Sequence, residues 1–373
     1  MIIVIGAGAS GLAAAAELAR AGENVVVLER AEIGAVWAGR YDRLHLHTVR
    51  WLSGLPGYAI PRRFGKWPAR DRVAEYLALY AAFHELDVRI GVEVERVDRE
   101  DDRWVVTTPN GPLGADRVVI ATGLSNVPFT PDWPGADTVE ITHSATYRNA
   151  APFRDRRVLV VGTGNSGAEI AVELAEEGAS EVMLSVRTPP GIVRRDTLGV
   201  PSQLFGIASS HLPAAVADRI AAGIRRVAIP DLESLGLPAP ARPYSAFLER
   251  RVIPIVDVGL AAAVKQRSVR VVPAVAGFEA GVAVLADDSR VAVDAVVAAT
   301  GFRTGLEPLV GHLGVLDERG RPLVRDVEEP VAAPGLHFVG YEVTLGGTLR
   351  RAGIEAKQLT TAVTAARVGA TTA

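Results

Sequence analysis

Short apolar runs, glycine turns and stretches rich in Ala, Leu and Glu follow one another in a repeating order, and that order predicts the architecture. Met1 to Ile5 is a run of the kind that forms a buried parallel strand, Gly6-Ala-Gly-Ala-Ser-Gly11 is a glycine turn, and Leu12 to Ala21 is a helix. Val25 to Leu28, ending at Glu29, is a second strand and completes a βαβ unit. The same signals return at Val158 to Val161, Gly162-Thr-Gly-Asn-Ser-Gly167, a helix over Ala168 to Glu177 and a strand over Glu181 to Val186. Each copy closes on an apolar strand ending in Ala-Thr-Gly: Arg117 to Ala121 runs into Thr122-Gly123, and Ala295 to Ala299 into Thr300-Gly301. Val88 to Val119 holds alternating stretches, among them Val92 to Val97 and Trp104 to Thr108, with a turn at Pro109-Asn-Gly111; this predicts an antiparallel meander. Asp196 to Leu260 is amphipathic, broken by prolines and free of strand signals, which predicts a mostly helical insertion.

The duplication sets the expected fold class: α/β, with two Rossmann-like dinucleotide-binding domains, the second inserted into the first. The expected boundaries are 1–149 and 302–373 for the first domain and 150–301 for the second, with the helical insertion at about 196–260. A length of 373 residues suits two domains.

Composition narrows the chemistry. Forty Lys and Arg against 43 Asp and Glu leave a net charge of -3, which argues against nucleic acid as a partner. With no cysteine the chain offers no disulfide, thiolate metal site or Cys-x-x-Cys redox pair, and no metal-ligand spacing occurs elsewhere. The uncharged run Met1 to Ala16 lacks a basic leader and is broken by glycines, so it is not an export signal; no stretch is apolar enough to span a bilayer. A cytoplasmic location is expected.

A single GxGxxG is weak, but two copies in strand–turn–helix context point to two dinucleotides, each with its pyrophosphate on a helix N-terminus. The ends of the second strands distinguish them. Glu29 stands near the offset of about 20 residues at which a carboxylate bonds an adenosine ribose, and its charge would repel a 2′-phosphate. At the same offset the second copy has Ser185, followed by Arg187 and Thr188, a hydroxyl and guanidinium set suited to a 2′-phosphate. The first site is therefore expected to take FAD or NAD and the second NADPH. One chain with both is most simply a flavoprotein reduced by NADPH.

These residues resemble the class B flavin-dependent monooxygenases, the group of the flavin-containing, Baeyer–Villiger and YUCCA-type enzymes. Gly34-Ala-Val-Trp37 is similar to that family's Gly-Gly-x-Trp, and Tyr41 to His47 through Leu55-Pro56 is similar in spacing to the YUCCA-type segment leading to the flavin. Phe64, Trp67-Pro68, Tyr76-Leu77, the second fingerprint, Thr300 to Arg303 and Phe338 to Tyr341 extend the likeness over nearly the whole chain. His143, Tyr147 and Arg148 match the second half of the family's linker signature, while Asp137 and Val139 depart from the first, which points away from the Baeyer–Villiger branch. His47 stands where flavin-containing enzymes have Asn and YUCCA-type enzymes have His.

The resemblance implies that NADPH reduces FAD, that dioxygen adds at flavin C4a, and that this C4a-peroxyflavin oxygenates a small organic substrate, a nitrogen or sulfur nucleophile or a carbonyl or 2-oxo acid. It implies His47 as the catalytic residue. Gly6, Gly8, Gly11, Glu29, Arg30, Val36, Trp37, Val94, Thr122, Gly123 and Gly340 are then expected at FAD. Gly162, Gly164, Asn165, Ser166, Gly167, Ser185, Arg187 and Thr188 are expected at NADPH, and Thr300 and Gly301 at a cofactor. His45 and His47 alternate with Leu44 and Leu46, so in an extended strand the two imidazoles share one face. The alternatives are a flavin-dependent reductase passing electrons to a protein or quinone, and a nucleotide-sensing protein without turnover. The reading leaves room for a homodimer.

Overall fold

The computed structural model describes residues 1–325 and 327–371. They form two compact units, one of Met1–Ala38, Thr48–Val127 and Phe302–Ala373, the other of Gly39–His47 and Pro128–Gly301. The chain therefore changes unit at Val127/Pro128, earlier than the residue 149 expected from the sequence, and the short segment Gly39–His47 goes with the second unit.

In the first unit, β1 (Ile2–Ile5) lies at the centre of a five-stranded sheet, between β2 (Val25–Glu29) and β7 (Arg117–Ile120). β3 (Val88–Ile90) forms one edge and Leu336–Phe338 the other, and every pairing is parallel. Helix α1 (Ala9–Arg20) buries Leu12 to Leu18 and packs on the C-terminal helix Thr348–Thr371. α2 (Ala35–Ala38) and α3 (Arg70–Phe83) follow β2. β4 (Arg96–Glu100), β5 (Arg103–Thr108) and β6 (Gly111–Ala115) form the antiparallel meander. It begins at Arg96, so Val92 to Glu95 stays outside the strand that its alternation predicts.

The second unit repeats the plan around Arg157–Val161, flanked by Glu181–Val186 and Ala295–Ala298, with Arg270–Pro273 and Ile141–His143 at the edges, again all parallel. Strand alternation divides its core: Val158 and Val160 pack with Ile170 and Leu174 of α4 (Asn165–Glu176), whereas Leu159 and Val161 pack with Met183, Val296 and Phe278 on the other face. The 196–260 region holds helices Ser202–Ser209, Ala214–Ala228 and Pro243–Arg250. It also holds strands that the sequence reading left out: Asp196–Thr197 pairs with Val200–Pro201, and Ile255–Asp257 pairs in parallel with Ile192–Arg194. Strands of two or three residues are too short to show a period of two.

Each unit carries a carboxylate held far below its usual range. In the first, the His337 imidazole, the Gly335 N–H and Arg117 bring Glu329 from 4.5 to about 2. In the second, the Arg157 side chain and backbone N–H bring Asp294 from 3.8 to about 2. A depressed carboxyl contributes stability that is complete above its ordinary value and is lost as pH falls toward the folded value. Urea midpoints are therefore expected to fall between about pH 4.5 and pH 2, and Glu329→Gln with Asp294→Asn should flatten that part of the curve. An unchanged slope in the double variant would refute the assignment.

Candidate functional site

Both fingerprint turns are built by the same steric demands. Gly6 has φ +104°, and a Cβ on it would lie 2.7 Å from the Ala121 carbonyl oxygen. A Cβ on Gly11 would lie 1.9 Å from Gly6 O, while a Cβ on Gly8, the N-cap of α1, would meet nothing within 4 Å. In the second unit a Cβ on Gly162, at φ +118°, would lie 2.3 Å from Ala299 O, and one on Gly167 would lie 2.0 Å from Gly162 O; Gly164 is open. Each turn thus has two glycines required by close packing and one facing open space. No side chain caps either helix, so first-turn N–H groups remain for an anion. This is a cradle that fits a dinucleotide pyrophosphate.

Around the first cradle, Glu29 ends β2 with Oε2 accepting from Ala7 N–H at 2.7 Å and Oε1 from Ala31 N–H at 3.0 Å. Arg30 is exposed and donates to Asn126 Oδ1 at 2.7 Å. The Thr122 and Tyr341 hydroxyls are 2.8 Å apart, beside Gly123 at φ +84°. Gly340, also at φ +84°, abuts Ser10 and donates its N–H to Glu355 Oε2 at 2.7 Å. The ends of β1, β2, β7 and Leu336–Phe338 thereby gather Gly6, Gly8, Gly11, Glu29, Thr122 and Gly340. Val36 and Trp37 lie on α2, Val36 largely exposed, and Val94 is half-buried against the cluster that contains Trp104.

Around the second cradle the expected residues divide. Arg187 and Thr188 are exposed just past Glu181–Val186, and among the described residues Arg187 has no hydrogen bond or ion pair. Ser185 corrects the sequence reading: it is 2 % exposed, and its hydroxyl donates to Pro273 O at 2.9 Å, so its one proton is already engaged. Asn165 Oδ1 accepts from Val256 N–H at 2.7 Å, tying α4 to Ile255–Asp257. The Thr300 hydroxyl donates to Phe129 O, and Gly301 O accepts from Phe129 N–H at 3.0 Å and from His143 Nε2 at 3.1 Å. His143 Nδ1 accepts from Ala145 N–H at 3.0 Å, so both ring nitrogens serve the turn; burial lowers the imidazole's affinity for a proton.

Helix α4 shows what the sequence reading missed. Glu169, Glu173 and Glu176 lie at i, i+4 and i+7, on one face of the helix. Glu169 Oε1 is 2.5 Å from His47 Nε2, and Oε2 accepts from the Tyr41 hydroxyl at 3.1 Å. Glu173 accepts from the Tyr147 hydroxyl at 2.9 Å, and Glu176 pairs with Arg43 at 2.7 Å. The stripe therefore holds the Gly39–His47 segment and Tyr147. Burial and the neighbouring Glu169 keep the Tyr41 phenol protonated well above its usual range, with the Ser166 hydroxyl bonded to it. Burial raises the Glu173 carboxyl and lowers Arg195, whose charge Glu169 favours. The signal was available: Glu169 and Glu173 stand among Ala168, Ile170, Ala171, Val172 and Leu174, on a helix with little polar surface. His45 and His47 lie outside every named strand of the described residues, so the strand that would put them on one face is not formed. The chain turns at Asp42–Arg43, His45 Nδ1 bonds Arg43 O at 2.8 Å, and His47 alone of the two reaches Glu169.

Among the described residues no group of His, Cys, Asp and Glu could hold a metal ion, and no helix is long and apolar enough to cross a membrane.

Comparison with known proteins agrees with this geometry. A family profile described as pyridine nucleotide-disulphide oxidoreductase matches residues 3–197. The probable indole-3-pyruvate monooxygenase YUCCA3 of Arabidopsis thaliana is 30 % identical over 91 % of this chain and 81 % of its own. The indole-3-pyruvate monooxygenase YUCCA8 of Oryza sativa subsp. indica is 35 % identical over 82 % of this chain and 76 % of its own. The solved flavin-containing monooxygenase from Stenotrophomonas maltophilia superposes with a TM-score of 0.73 at 28 % identity, covering 97 % of this chain and 98 % of that one. These three relatives are named as monooxygenases, and this chain has no cysteine to form a disulphide couple. The chain belongs to the class B flavin-dependent monooxygenases, FAD- and NADPH-dependent enzymes that oxygenate a small organic substrate with dioxygen.

Proposed function

We propose that the first cradle, with Gly6, Gly8, Gly11, Glu29 and Gly340, binds FAD, that the second, with Gly162, Gly164, Gly167, Arg187 and Thr188, binds NADPH, and that the oxygen acceptor is a 2-oxo acid. The division of cofactors rests on charge. A carboxylate ends the second strand of the first cradle, and an exposed guanidinium without a partner among the described residues ends that of the second. The acceptor rests on the relatives whose names give indole-3-pyruvate as substrate, together with a histidine at position 47.

Bound FAD, once reduced by NADPH, supplies the oxygen activation. The chain's own part is to hold both dinucleotides by backbone N–H groups, to read the 2′-phosphate with Arg187, and to exclude water. His47 is the catalytic residue, its imidazole hydrogen-bonding a cofactor so that reducing equivalents are not lost as hydrogen peroxide. In balance, the 2-oxo acid, dioxygen, NADPH and a proton give the carboxylic acid shortened by one carbon, carbon dioxide, water and NADP⁺. The bond between the keto carbon and the carboxylate breaks, and one oxygen atom joins the keto carbon.

The test supplies the FAD-loaded protein with NADPH and indole-3-pyruvate or phenylpyruvate. Carbon dioxide released in step with NADPH consumed is the expected result. Turnover of a thioether or tertiary amine, with neither 2-oxo acid consumed, would overturn the acceptor. A cytoplasmic location and a homodimer belong to the same proposal, and light scattering on the purified protein tests the second.

A further inference from the structure

We infer that Glu169 is a positioning residue for His47, one that fixes which imidazole nitrogen carries the proton. This rests on the catalytic reading of His47 above.

Glu169 is 2 % exposed, and both of its oxygens are engaged, Oε1 with His47 Nε2 at 2.5 Å and Oε2 with the Tyr41 hydroxyl at 3.1 Å. A carboxylate can only accept, so the His47 nitrogen facing it must be an N–H. Tyr41 makes the arrangement permanent: its phenol stays protonated, remains a donor, and occupies the second oxygen. Arg195 compensates the buried negative charge from nearby. With Nε2–H committed, Nδ1 is left for a ligand, and no described residue bonds it. In the neutral ring that nitrogen is a hydrogen-bond acceptor.

The contact is more than a means of fastening the Gly39–His47 segment. Arg43 on Glu176, Tyr41 on Glu169 and Asn149 on Asp42 at 2.8 Å already fasten it without an imidazole. Fastening requires only that His47 have some partner, whereas an acceptor-only, buried partner dictates a tautomer.

Glu169→Gln keeps the shape and removes this dictation, because an amide can meet Nε2 either with its oxygen or with its NH₂. The experiment records nitrogen NMR spectra of FAD-loaded, ¹⁵N-histidine-labelled protein, with the His47 signals assigned by their loss in His47→Ala. The wild type is expected to carry the proton on Nε2 with Nδ1 bare in the neutral ring, and Glu169→Gln to give a mixture of tautomers. In parallel, peroxide release is measured under NADPH and air without organic substrate. Losing one charge-assisted hydrogen bond should raise the leak about tenfold in Glu169→Gln. His47→Ala combined with Glu169→Gln should then leak no more than His47→Ala alone, since one residue acts through the other. A wild-type proton on Nδ1, an unaltered tautomer in Glu169→Gln, or additive leaks would overturn the inference, and the first of these does not depend on Glu169→Gln folding. If His47→Ala leaves the leak unchanged, the catalytic reading of His47 fails, while the spectra still decide whether Glu169 sets the proton.

Discussion

Gly8→Ala is expected to yield a folded protein that holds FAD more weakly, and Gly164→Ala a yellow protein that needs more NADPH for its reduction. At both positions the protein has room: a Cβ meets nothing within 4 Å, and the backbone is extended, with φ -75° at Gly8 and -87° at Gly164. Neither change should lower thermal stability appreciably. What an added methyl would obstruct is the approach of a pyrophosphate to the N-termini of α1 and α4. Forcing a methyl into a close contact costs about 1–3 kcal/mol, so each dinucleotide should bind roughly 10- to 100-fold more weakly. Gly11→Ala and Gly167→Ala serve as contrasts. Their Cβ atoms would collide with Gly6 O and Gly162 O, so these variants should lose the fold of the turn, and melting temperature, along with the cofactor. Flavin absorbance, NADPH titration and melting curves on the four proteins separate the outcomes. Wild-type affinity for FAD in Gly8→Ala would show that the first cradle does not hold the pyrophosphate.

These glycines were legible in the sequence because their constraint is local. A residue that must take positive φ, or that has a carbonyl oxygen where its side chain would be, leaves glycine as the only choice, and strand and helix signals on either side mark where the turn stands. Ser185 was legible only in part. The offset from Gly167 leads to the end of Glu181–Val186, yet whether its hydroxyl points to a ligand or to the neighbouring strand depends on Arg270–Pro273, which is distant in sequence. For His45 and His47 the premise is missing: alternation puts i and i+2 on one face only in an extended strand, and no named strand of the described residues contains them. Glu169 is not singled out by the sequence reading at all. Acidic residues on a helix are read as solvated by default, and only the apolar residues between Glu169 and Glu173 indicate that this face is covered. The partners Tyr41 and His47 lie far back in the chain, and nothing in local pattern joins them.

The same correction sharpens the coenzyme prediction. With the Ser185 hydroxyl given to Pro273, discrimination for a 2′-phosphate falls to Arg187, supported by Thr188. Among the described residues Arg187 has no partner to leave, so its guanidinium meets a phosphate without first breaking an ion pair with any of them. A charge-assisted hydrogen bond of this type contributes about 1.5–3 kcal/mol, so Arg187→Ala should lower kcat/KM for NADPH on the order of 10- to 100-fold. The loss should fall mainly on KM, because the contact is made equally in the ground state and the transition state. NADH, which lacks the phosphate, should be used equally by both proteins. Ser185→Ala should leave the NADPH to NADH ratio unchanged and lower only stability, by about 1 kcal/mol for the lost bond. Steady-state kinetics with both coenzymes on the three proteins decide the matter. A ratio that moves with Ser185 and not with Arg187 would return the phosphate to the buried strand end and refute the assignment to the exposed guanidinium.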